Sequence, residues 1–486
     1  MCRPLLFVVL AAWSAAACGR ATGEAAARSG AVTWESCGHL PVRDGRCGRV
    51  TVLENRDQPD GRRISLWLVV LPAREPAPLP DPVFYLAGGP GQAATVILGD
   101  PSVVNGKLRD RRDLVFLDQR GTGGSNGLEC DFYGPPANAQ SYFDKFVPVD
   151  KVRACRAILS AKADLAQYTT DASVADLDEV RAALGYDRIN LLGGSYGTRL
   201  AMEYVRKHDA NVRAVVLQSP IPPSEPVPER FGQLAQQALD SVLDECGASP
   251  DCARAFPKIR DEAREVFARL RRGPVTATVV HPAVGRPTDV RVSHENIAEV
   301  IRYMTYVAGS ASAVPQVLHQ AFEGNYSPIA QDLLRRRADG TFDALYLSIT
   351  CAEDVPFVRA SAAEDDDGTY LTGYRVREQR AACAEWPRGA APSWRGQPVR
   401  SDRPVLIMTG EQDPVTPASY GDLIAQTLPN SLQLQIPHSG HSPGGLTGLH
   451  CLSQAIVDFI ESGQTGAVQT GCVSAIVRPG FVVPRG

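Results

Sequence analysis

Residues 188–207 read RINLLGGSYGTRLAMEYVRK and are the stretch that most clearly indicates the class of fold. The run at 188–192 predicts a short buried strand, and residues 198–207 have the pattern of a helix. Between them lies a G-x-S-x-G pentapeptide at 193–197. A strand, a sharp turn and a helix in this order predict that the turn exposes the Ser195 hydroxyl, because small neighbours let the serine adopt a strained backbone.

The serine needs a partner base, since a hydroxyl is a weak nucleophile by itself. When a G-x-S-x-G serine is catalytic, the partners follow later in the chain, first Asp or Glu and then His. Asp413 lies in the loop after one predicted strand, and His441 lies in the loop after the next. We therefore predict that His441 takes the proton from Ser195 while Asp413 orients the imidazole, with His438 as the alternative base.

A glycine-rich loop at 88–92 (GGPGQ) follows another predicted strand and is a candidate oxyanion site. Acyl transfer needs N–H donors for the developing oxyanion, and glycine lets a backbone amide approach a substrate closely. Pro90 has no N–H, so the donor is Gly89 or Gly91, of which we favour Gly89. The second predicted donor is the backbone N–H of Tyr196, the residue after the nucleophile.

Short apolar runs alternate with helical patterns along most of the chain, which is typical of an α/β fold. The near-continuous runs suit the buried strands of a mostly parallel central sheet. We predict strands at 64–71, 82–87, 113–118, 188–192, 213–218, 404–409 and 431–436, with helices at 172–184 and 198–207 among them.

One long segment interrupts the strand pattern. It carries Glu, Arg, Ala and Leu at helical spacing, as at 233–243 and 260–271, and prolines lie at both of its ends. We therefore predict one sheet domain built from residues 34–220 and 401–486. The intervening residues 221–400 are predicted to form a mostly helical cap over the sheet.

The N-terminus has the features of a secretory signal peptide at 1–18, MCRPLLFVVLAAWSAAAC. Arg3 supplies the positive region, and the apolar stretch is too short to span a bilayer. The ending resembles a bacterial lipobox, which predicts lipidation of Cys18 and a location in the cell envelope. Cleavage after Ala17 with release of a secreted protein is the alternative. Residues 19–33 are predicted to be a tether.

Composition excludes several classes of partner. The 486 residues carry a net charge of −4, with 44% hydrophobic and 21% charged residues, as in a folded globular protein. No basic patch for nucleic acid or anionic lipid is evident, so membrane contact is expected only through the lipid anchor. No Cys/His cluster has zinc spacing, and we predict neither a metal nor a cofactor. The oligomeric state is not predicted.

Twelve cysteines occur, two of them in the signal peptide. An even number outside it suits disulfides in an oxidising compartment, although ten buried thiols are the alternative. Pairing each cysteine with its neighbour along the chain predicts Cys37–Cys47, Cys130–Cys155, Cys246–Cys252, Cys351–Cys383 and Cys451–Cys472.

Four stretches resemble the proline iminopeptidase and tripeptidyl aminopeptidase branch of the α/β hydrolases, in its secreted bacterial form. These are serine exopeptidases with an α/β-hydrolase fold. The resemblance runs from about residue 34 to 473 and is weakest in the cap. Its most specific motif is DQRG at the start of the second stretch. The stretches are GGPG at 88–91, DQRGTGGS at 118–125, 193–204, and 410–417 together with Gly440-His441.

The resemblance implies an aminopeptidase or tripeptidyl aminopeptidase that acts on peptides with a free N-terminus. A cap carboxylate would bind the substrate ammonium, and Glu353 in the TCAED stretch is the candidate, with a structural or surface ion pair as the alternative. Ala87 replaces the histidine that usually precedes GGPG, which removes a hydrogen bond from that loop and weakens the likeness to strict proline iminopeptidases. A carboxylesterase and a catalytically inactive binding lipoprotein are the alternative functions.

Overall fold

The computed structural model describes residues 30–38, 40–42, 44–338 and 342–484, with the backbone alone at 342 and 343. The predicted signal peptide, the Cys18 lipidation site and residues 19–29 of the predicted tether lie outside these ranges. The tether was predicted to extend to residue 33, but the first strand already begins at Val32.

The described residues contain thirteen strands, nine of which form one sheet. The seven predicted strands are all in this sheet. The strands are β1 (Val32–Glu35), β2 (Arg46–Leu53), β3 (Arg63–Leu71), β4 (Val83–Leu86), β5 (Leu114–Leu117), β6 (Glu129–Cys130), β7 (Ile189–Gly194), β8 (Val212–Gln218), β9 (Val275–Val280), β10 (Pro287–Val292), β11 (Phe342–Asp343), β12 (Val405–Gly410) and β13 (Ser431–Ile436).

The large sheet has the strand order β1-β2-β3-β5-β4-β7-β8-β12-β13. The last six of these strands are mutually parallel, and β1, β2 and β3 form an antiparallel edge. The predicted α/β class with a mostly parallel sheet is therefore confirmed. Strands β1 and β2 were not predicted, because β2 alternates buried and more exposed residues instead of forming a continuous apolar run.

Seventeen helices occur in the described ranges. They are α1 (Pro101–Val104), α2 (Leu108–Arg111), α3 (Val149–Leu159), α4 (Thr170–Ala183), α5 (Tyr196–His208), α6 (Phe231–Ala248), α7 (Pro250–Ala255), α8 (Ile259–Arg272), α9 (His294–Thr305), α10 (Ala308–Ala311), α11 (Val314–Phe322), α12 (Ser327–Ala338), α13 (Leu345–Glu353), α14 (Ala362–Asp366), α15 (Tyr374–Glu385), α16 (Ala418–Ala425) and α17 (His450–Ser462).

Helices cover both faces of the sheet. Apolar side chains of α4, α5 and α16, such as Leu177, Leu200 and Ile424, share a buried cluster with one face. On the other face, α17 contributes Leu452 and Phe459 to a second cluster. Two buried faces explain why the central strands are apolar along their whole length.

Between β8 and β12 the chain forms helices α6 to α15, one antiparallel hairpin of β9 and β10, and the short strand β11, which pairs with β6. Most of these elements share a hydrophobic cluster with the segment that precedes α4. The hairpin was not predicted. Its strands alternate buried and exposed residues and contain charged positions, so they lack the apolar run that identified the central strands.

The five predicted disulfides are all formed. Disulfides of this number are typical of proteins that fold in an oxidising compartment, which indicates export from the cytoplasm. No helix within the described ranges is both long and apolar enough to cross a bilayer.

The Cys351–Cys383 bridge joins α13 to α15 and encloses a longer loop than Cys246–Cys252, with separations of 32 and 6 residues. If a disulfide acts mainly by restricting the unfolded chain, replacing the first pair with alanine should cost about 1.5 kcal/mol more than replacing the second. Chemical unfolding of the two double variants measures this difference. Equal losses would contradict the loop-length argument.

Candidate active site

Ser195 occupies a strained turn between β7 and α5. Its φ of 54° and ψ of −122° lie in a region that non-glycine residues rarely adopt. The Ser195 N–H donates to the carbonyl of Gln218 at 2.9 Å, and the Thr198 hydroxyl donates to the Ser195 carbonyl at 2.6 Å. These bonds hold the backbone in place, so the predicted exposed serine turn is present.

Gly197 lets α5 begin directly beside the sheet. A Cβ atom at this position would lie 2.1 Å from the carbonyl oxygen of Leu86 at the end of β4, which is far too close. Any side chain at residue 197 would therefore push the helix, and Ser195 with it, away from the strand. The last glycine of G-x-S-x-G is required here for space.

Asp413 and His441 meet at the ends of β12 and β13. His441 Nδ1 lies 2.8 Å from Asp413 Oδ2, and the Asp413 side chain is fully buried. Thr416 donates to Asp413 through both its backbone N–H and its hydroxyl. Burial alone would raise the Asp413 pKa, but His441 and these hydrogen bonds lower it below its ordinary value. Asp413 is therefore a carboxylate that can orient the imidazole.

The other candidate base, His438, faces a different partner. Its Nδ1 lies 2.6 Å from Oε1 of Glu245 in α6, and its side chain does not line the cavity that contains Ser195. The His441 loop is held by two further bonds. The Ser219 hydroxyl donates to the His441 carbonyl, and the Ser442 N–H donates to the carbonyl of Tyr306, each at 2.8 Å.

A cavity of about 740 Å³ lies among the carboxyl ends of the parallel strands and helices of the segment between β8 and β12, and both Ser195 and His441 line it. Among the described residues, neither Ser195 Oγ nor His441 Nε2 has a hydrogen-bond partner, and no hydrogen bond joins the two atoms. Both remain accessible to a substrate. In the described ranges, no group of three or more His, Cys, Asp or Glu side chains could hold a metal ion.

The loop after β4 reaches the same cavity. Gly88, Gly89 and Pro90 line it, whereas Gly91 does not. Gly89 has a φ of 106°, and a Cβ there would lie 2.6 Å from the Gly91 nitrogen, so only glycine fits. The backbone N–H groups of Gly89 and Tyr196 make no hydrogen bond to another described residue. These two amides are thus available to an oxyanion.

The DQRG motif forms hydrogen bonds that hold neighbouring loops in place. The Gln119 side chain donates to the Ala87 carbonyl at 3.2 Å, which gives the glycine-rich loop a hydrogen bond at the position where histidine is absent. Arg120 is fully buried and forms two bonds of 2.6 and 2.7 Å with Asp176 of α4. Asp118 accepts hydrogen bonds from Thr95 and from the Gly124 amide. The motif therefore fixes loops and does not enter the cavity.

Glu353 is not where an ammonium anchor would need to be. Its side chain is 1% exposed and does not line the cavity. The backbone N–H and the hydroxyl of Thr170 donate to its two carboxylate oxygens, each at 2.6 Å. The Thr170 hydroxyl also lies 2.8 Å from the Tyr196 hydroxyl. Glu353 thus braces the residue that follows Ser195.

Two arginines that line the same cavity as Ser195 were not predicted from the sequence. Arg302, from α9, and Arg375, from α15, line it together with tyrosines. A signal was present in the sequence. Glu299 and Arg302 lie three residues apart on a helix whose apolar residues surround them, and both are buried. An acidic and a basic side chain on an otherwise apolar helical face indicate a buried ion pair.

Three relatives resemble the chain over most of their length. The serine protease Hip1 of Mycobacterium tuberculosis is 25% identical, over 86% of this chain and 85% of its own. The tripeptidyl aminopeptidase of Streptomyces lividans is 24% identical, over 96% and 91%. Carboxylesterase B of Mycobacterium tuberculosis is 26% identical, over 90% and 89%. Residues 81–444 match the model of the α/β hydrolase fold family. The chain, a serine hydrolase by these relationships, therefore belongs to the α/β hydrolase family.

Proposed function

We propose that the chain is a serine exopeptidase that hydrolyses peptide bonds near the N-terminus of peptides. The observation that carries this proposal is the convergence of four groups at one cavity. Ser195, His441 and Gly89 line it, and Asp413 holds His441 from outside the lining through a hydrogen bond of 2.8 Å. This set supplies a nucleophile, a base with its orienting carboxylate, and an oxyanion donor.

The chemistry follows from the positions of these groups. With Nδ1 of His441 facing Asp413, its Nε2 accepts the hydroxyl proton as Ser195 Oγ attacks the substrate carbonyl carbon. The carbonyl oxygen becomes an oxyanion, which the amides of Gly89 and Tyr196 stabilise. His441 then protonates the leaving nitrogen, and the C–N bond breaks to leave an acyl-enzyme on Ser195. Water, deprotonated by His441, attacks the ester and releases the acid.

Three observations support a peptidase. Relatives named serine protease and tripeptidyl aminopeptidase cover most of the chain. In addition, the DQRG motif, which the chain has in common with the peptidase branch, forms the buried Arg120–Asp176 pair beneath the active-site loops. A cavity that lies beneath a cap also suits the end of a peptide better than the middle of a folded chain.

A carboxylesterase is the second candidate, and a specific observation favours it. Among the described residues that line the cavity, none is acidic, so a free ammonium group has no opposite charge there. A relative named carboxylesterase B is also similar over most of the chain. An inactive binding lipoprotein is disfavoured by the intact nucleophile, base and carboxylate.

We also propose that the chain is exported through the signal peptide at 1–18. The five disulfides support export, because such bonds persist in oxidising compartments. Lipidation of Cys18 would then hold the enzyme at the cell envelope. Cleavage after Ala17 would release it, and mass spectrometry of the mature N-terminus separates the two.

Ser195→Ala should lower kcat by about 10⁴-fold or more on any substrate that is turned over, because no other group replaces the nucleophile. A fluorophosphonate probe should label the wild-type protein and leave the variant unlabelled. Ser160→Ala, an exposed serine at the end of α3, is the matched control and should retain activity and labelling. Labelling of the Ser195→Ala protein would mean that another residue is the nucleophile.

A substrate panel should distinguish the two candidate functions. Peptidyl p-nitroanilides with free and acetylated N-termini, together with short p-nitrophenyl esters, give kcat/KM for each class. An exopeptidase should cleave the anilides, and mass spectrometry of the products should show whether one or three residues leave. Hydrolysis of esters without any cleavage of the amides would support the carboxylesterase instead.

Glu353→Gln should change the pH dependence of stability. Burial, partly offset by Arg199 and Thr170, raises the Glu353 pKa to about 7, so the folded protein holds this proton more tightly than the unfolded chain. The wild type should therefore lose roughly 1–3 kcal/mol of unfolding free energy from this group as the pH rises from about 4.5 to about 7. Chemical unfolding at pH 5 and pH 8 measures this loss.

The unfolding free energy of Glu353→Gln should lack this decrease with rising pH. Glu364→Gln, at an exposed position of α14, should retain it. Both variants should discriminate between free and acetylated peptides as the wild type does. A selective loss of activity on free N-termini in Glu353→Gln would restore the ammonium-anchor role.

A further inference from the structure

The charged side chains on the cavity wall are cations. Its described lining contains Arg302 and Arg375 and no Asp, Glu or Lys. This is the opposite of the arrangement expected for a site that selects a substrate ammonium. Buried guanidinium groups beside a catalytic serine require a separate explanation, because an isolated buried charge is costly.

A single buried carboxylate lies behind the two arginines. Arg302 Nη2 donates to Glu299 Oε1 at 3.1 Å, and Arg375 Nη1 donates to the same oxygen at 3.3 Å. The Tyr374 hydroxyl donates to the other oxygen. Glu299 is 1% exposed, and the two arginines are 1% and 5% exposed. The cluster therefore has two positive charges and one negative charge.

All three groups stay ionised. Burial would raise the pKa of Glu299, but Arg302 and Arg375 lower it to about 2. Burial would lower the pKa of each arginine, yet the Glu299 carboxylate raises both above the ordinary value. The net charge of the cluster is thus one positive charge over the whole range in which the protein would be assayed.

Aromatic rings hold the guanidinium groups without using their N–H groups. The guanidinium carbon of Arg375 lies 3.7 Å from the Phe146 ring centroid, and that of Arg302 lies 4.6 Å from the Phe231 ring centroid. Each guanidinium has five N–H groups. Among the described residues, Arg302 donates three hydrogen bonds and Arg375 donates two, so both retain donors.

The cluster lies close to the reacting groups. Arg302 Nη1 donates to the Tyr306 hydroxyl at 2.6 Å, and the Tyr306 ring centroid lies 5.2 Å from that of His441. One aromatic ring therefore separates the guanidinium from the base. A group bound by Arg302 would therefore lie next to the side chain that contacts His441.

We propose that Arg302 and Arg375 form a carboxylate-binding site in the cavity, so that the preferred substrates carry a carboxylate near the bond that is cleaved. This inference rests on the proposed serine hydrolase function. Paired guanidinium donors match the two oxygens of a carboxylate, and a bound carboxylate would balance the excess charge of the cluster. The carboxylate could come from the acyl part or from the C-terminus of the leaving part.

Two matched pairs of substrates distinguish these sources. The first pair is the p-nitroanilide of Ala-Ala-Glu or of Ala-Ala-Gln, each with a free N-terminus, which differ by a carboxylate on the acyl side. The second pair is an unblocked tetrapeptide ending in a free carboxylate or an amide. We expect kcat/KM about 10–100-fold higher for the carboxylate member of one pair, as for hydrogen bonds to a charged group. Equal values in both pairs would overturn the proposal.

Arg375→Gln should remove most of that preference, mainly through KM, so that kcat/KM for the carboxylate member of the pair falls toward the value for its neutral partner. Arg375→Lys should restore part of it. Arg377→Gln, on the same helix but half exposed and paired with Asp367, is the matched control and should behave as the wild type. Equal losses on charged and neutral substrates in Arg375→Gln, in a protein whose thermal unfolding is unchanged, would contradict a role in recognition.

A binding measurement separates this proposal from the proposed catalysis. Calorimetric titration of the Ser195→Ala protein with glutarate and with glutaramide needs no turnover. Glutarate should bind at least tenfold more tightly, and added salt should weaken it. If glutarate binds tightly but the wild-type protein hydrolyses no substrate, the carboxylate-binding site is supported and the proposed catalytic function is rejected. Hydrolysis of neutral substrates without glutarate binding would reject the site alone.

Discussion

The backbone of Ser195 is the constraint on which the active site depends. A residue other than glycine at φ 54° and ψ −122° costs energy, and that conformation persists only where the surrounding structure enforces it. The enforcement comes from both sides of the turn. Strand β8 accepts the Ser195 N–H, and the missing side chain of Gly197 lets α5 lie against the end of β4. The apolar strands of the sheet therefore contribute to the core and also hold the Ser195 hydroxyl in position.

The proposed base, His441, is held by contacts on two sides of its loop. Its loop follows β13, but the cap also holds it, through the hydrogen bond from Ser442 to the Tyr306 carbonyl at the end of α9. A Cβ at Gly440 would lie 2.1 Å from the Thr305 carbonyl oxygen, so the two segments are in direct contact. The same helix carries Arg302. Helix α9 therefore connects the proposed base with the proposed site of substrate recognition.

The sequence predicted the parts of this structure that follow local rules. Near-continuous apolar runs identified most of the parallel strands, and the G-x-S-x-G turn identified Ser195 with its flanking strand and helix. Asp413 and His441 were proposed because each lies in the loop at the carboxyl end of a predicted parallel strand. Neighbouring cysteines gave the correct disulfides because each pair joins segments that lie close together along the chain.

What the sequence could not reveal depends on three-dimensional neighbours. Glu353 lies within the segment that was predicted to form the cap. Its carboxylate accepts hydrogen bonds from Thr170 at the start of α4 instead of lining the cavity, and this depends on how α13 and α4 meet in the folded protein. The pairing of Glu299 with Arg375 joins residues that lie far apart along the chain. The β9–β10 hairpin was missed because its alternating pattern is that of a half-exposed sheet and differs from that of the central strands.

The division of the sheet by the cap also determines when activity can arise. Ser195 and the glycine-rich loop belong to the first part of the chain, whereas Asp413 and His441 follow β12 and β13, which pair beside β8. Synthesis proceeds from the N-terminus, so the nucleophile exists long before its base does. A chain that stops anywhere before β12 contains a serine turn without a proton acceptor. Under the proposed mechanism, the polypeptide therefore acquires its base only when its final strands have joined the sheet.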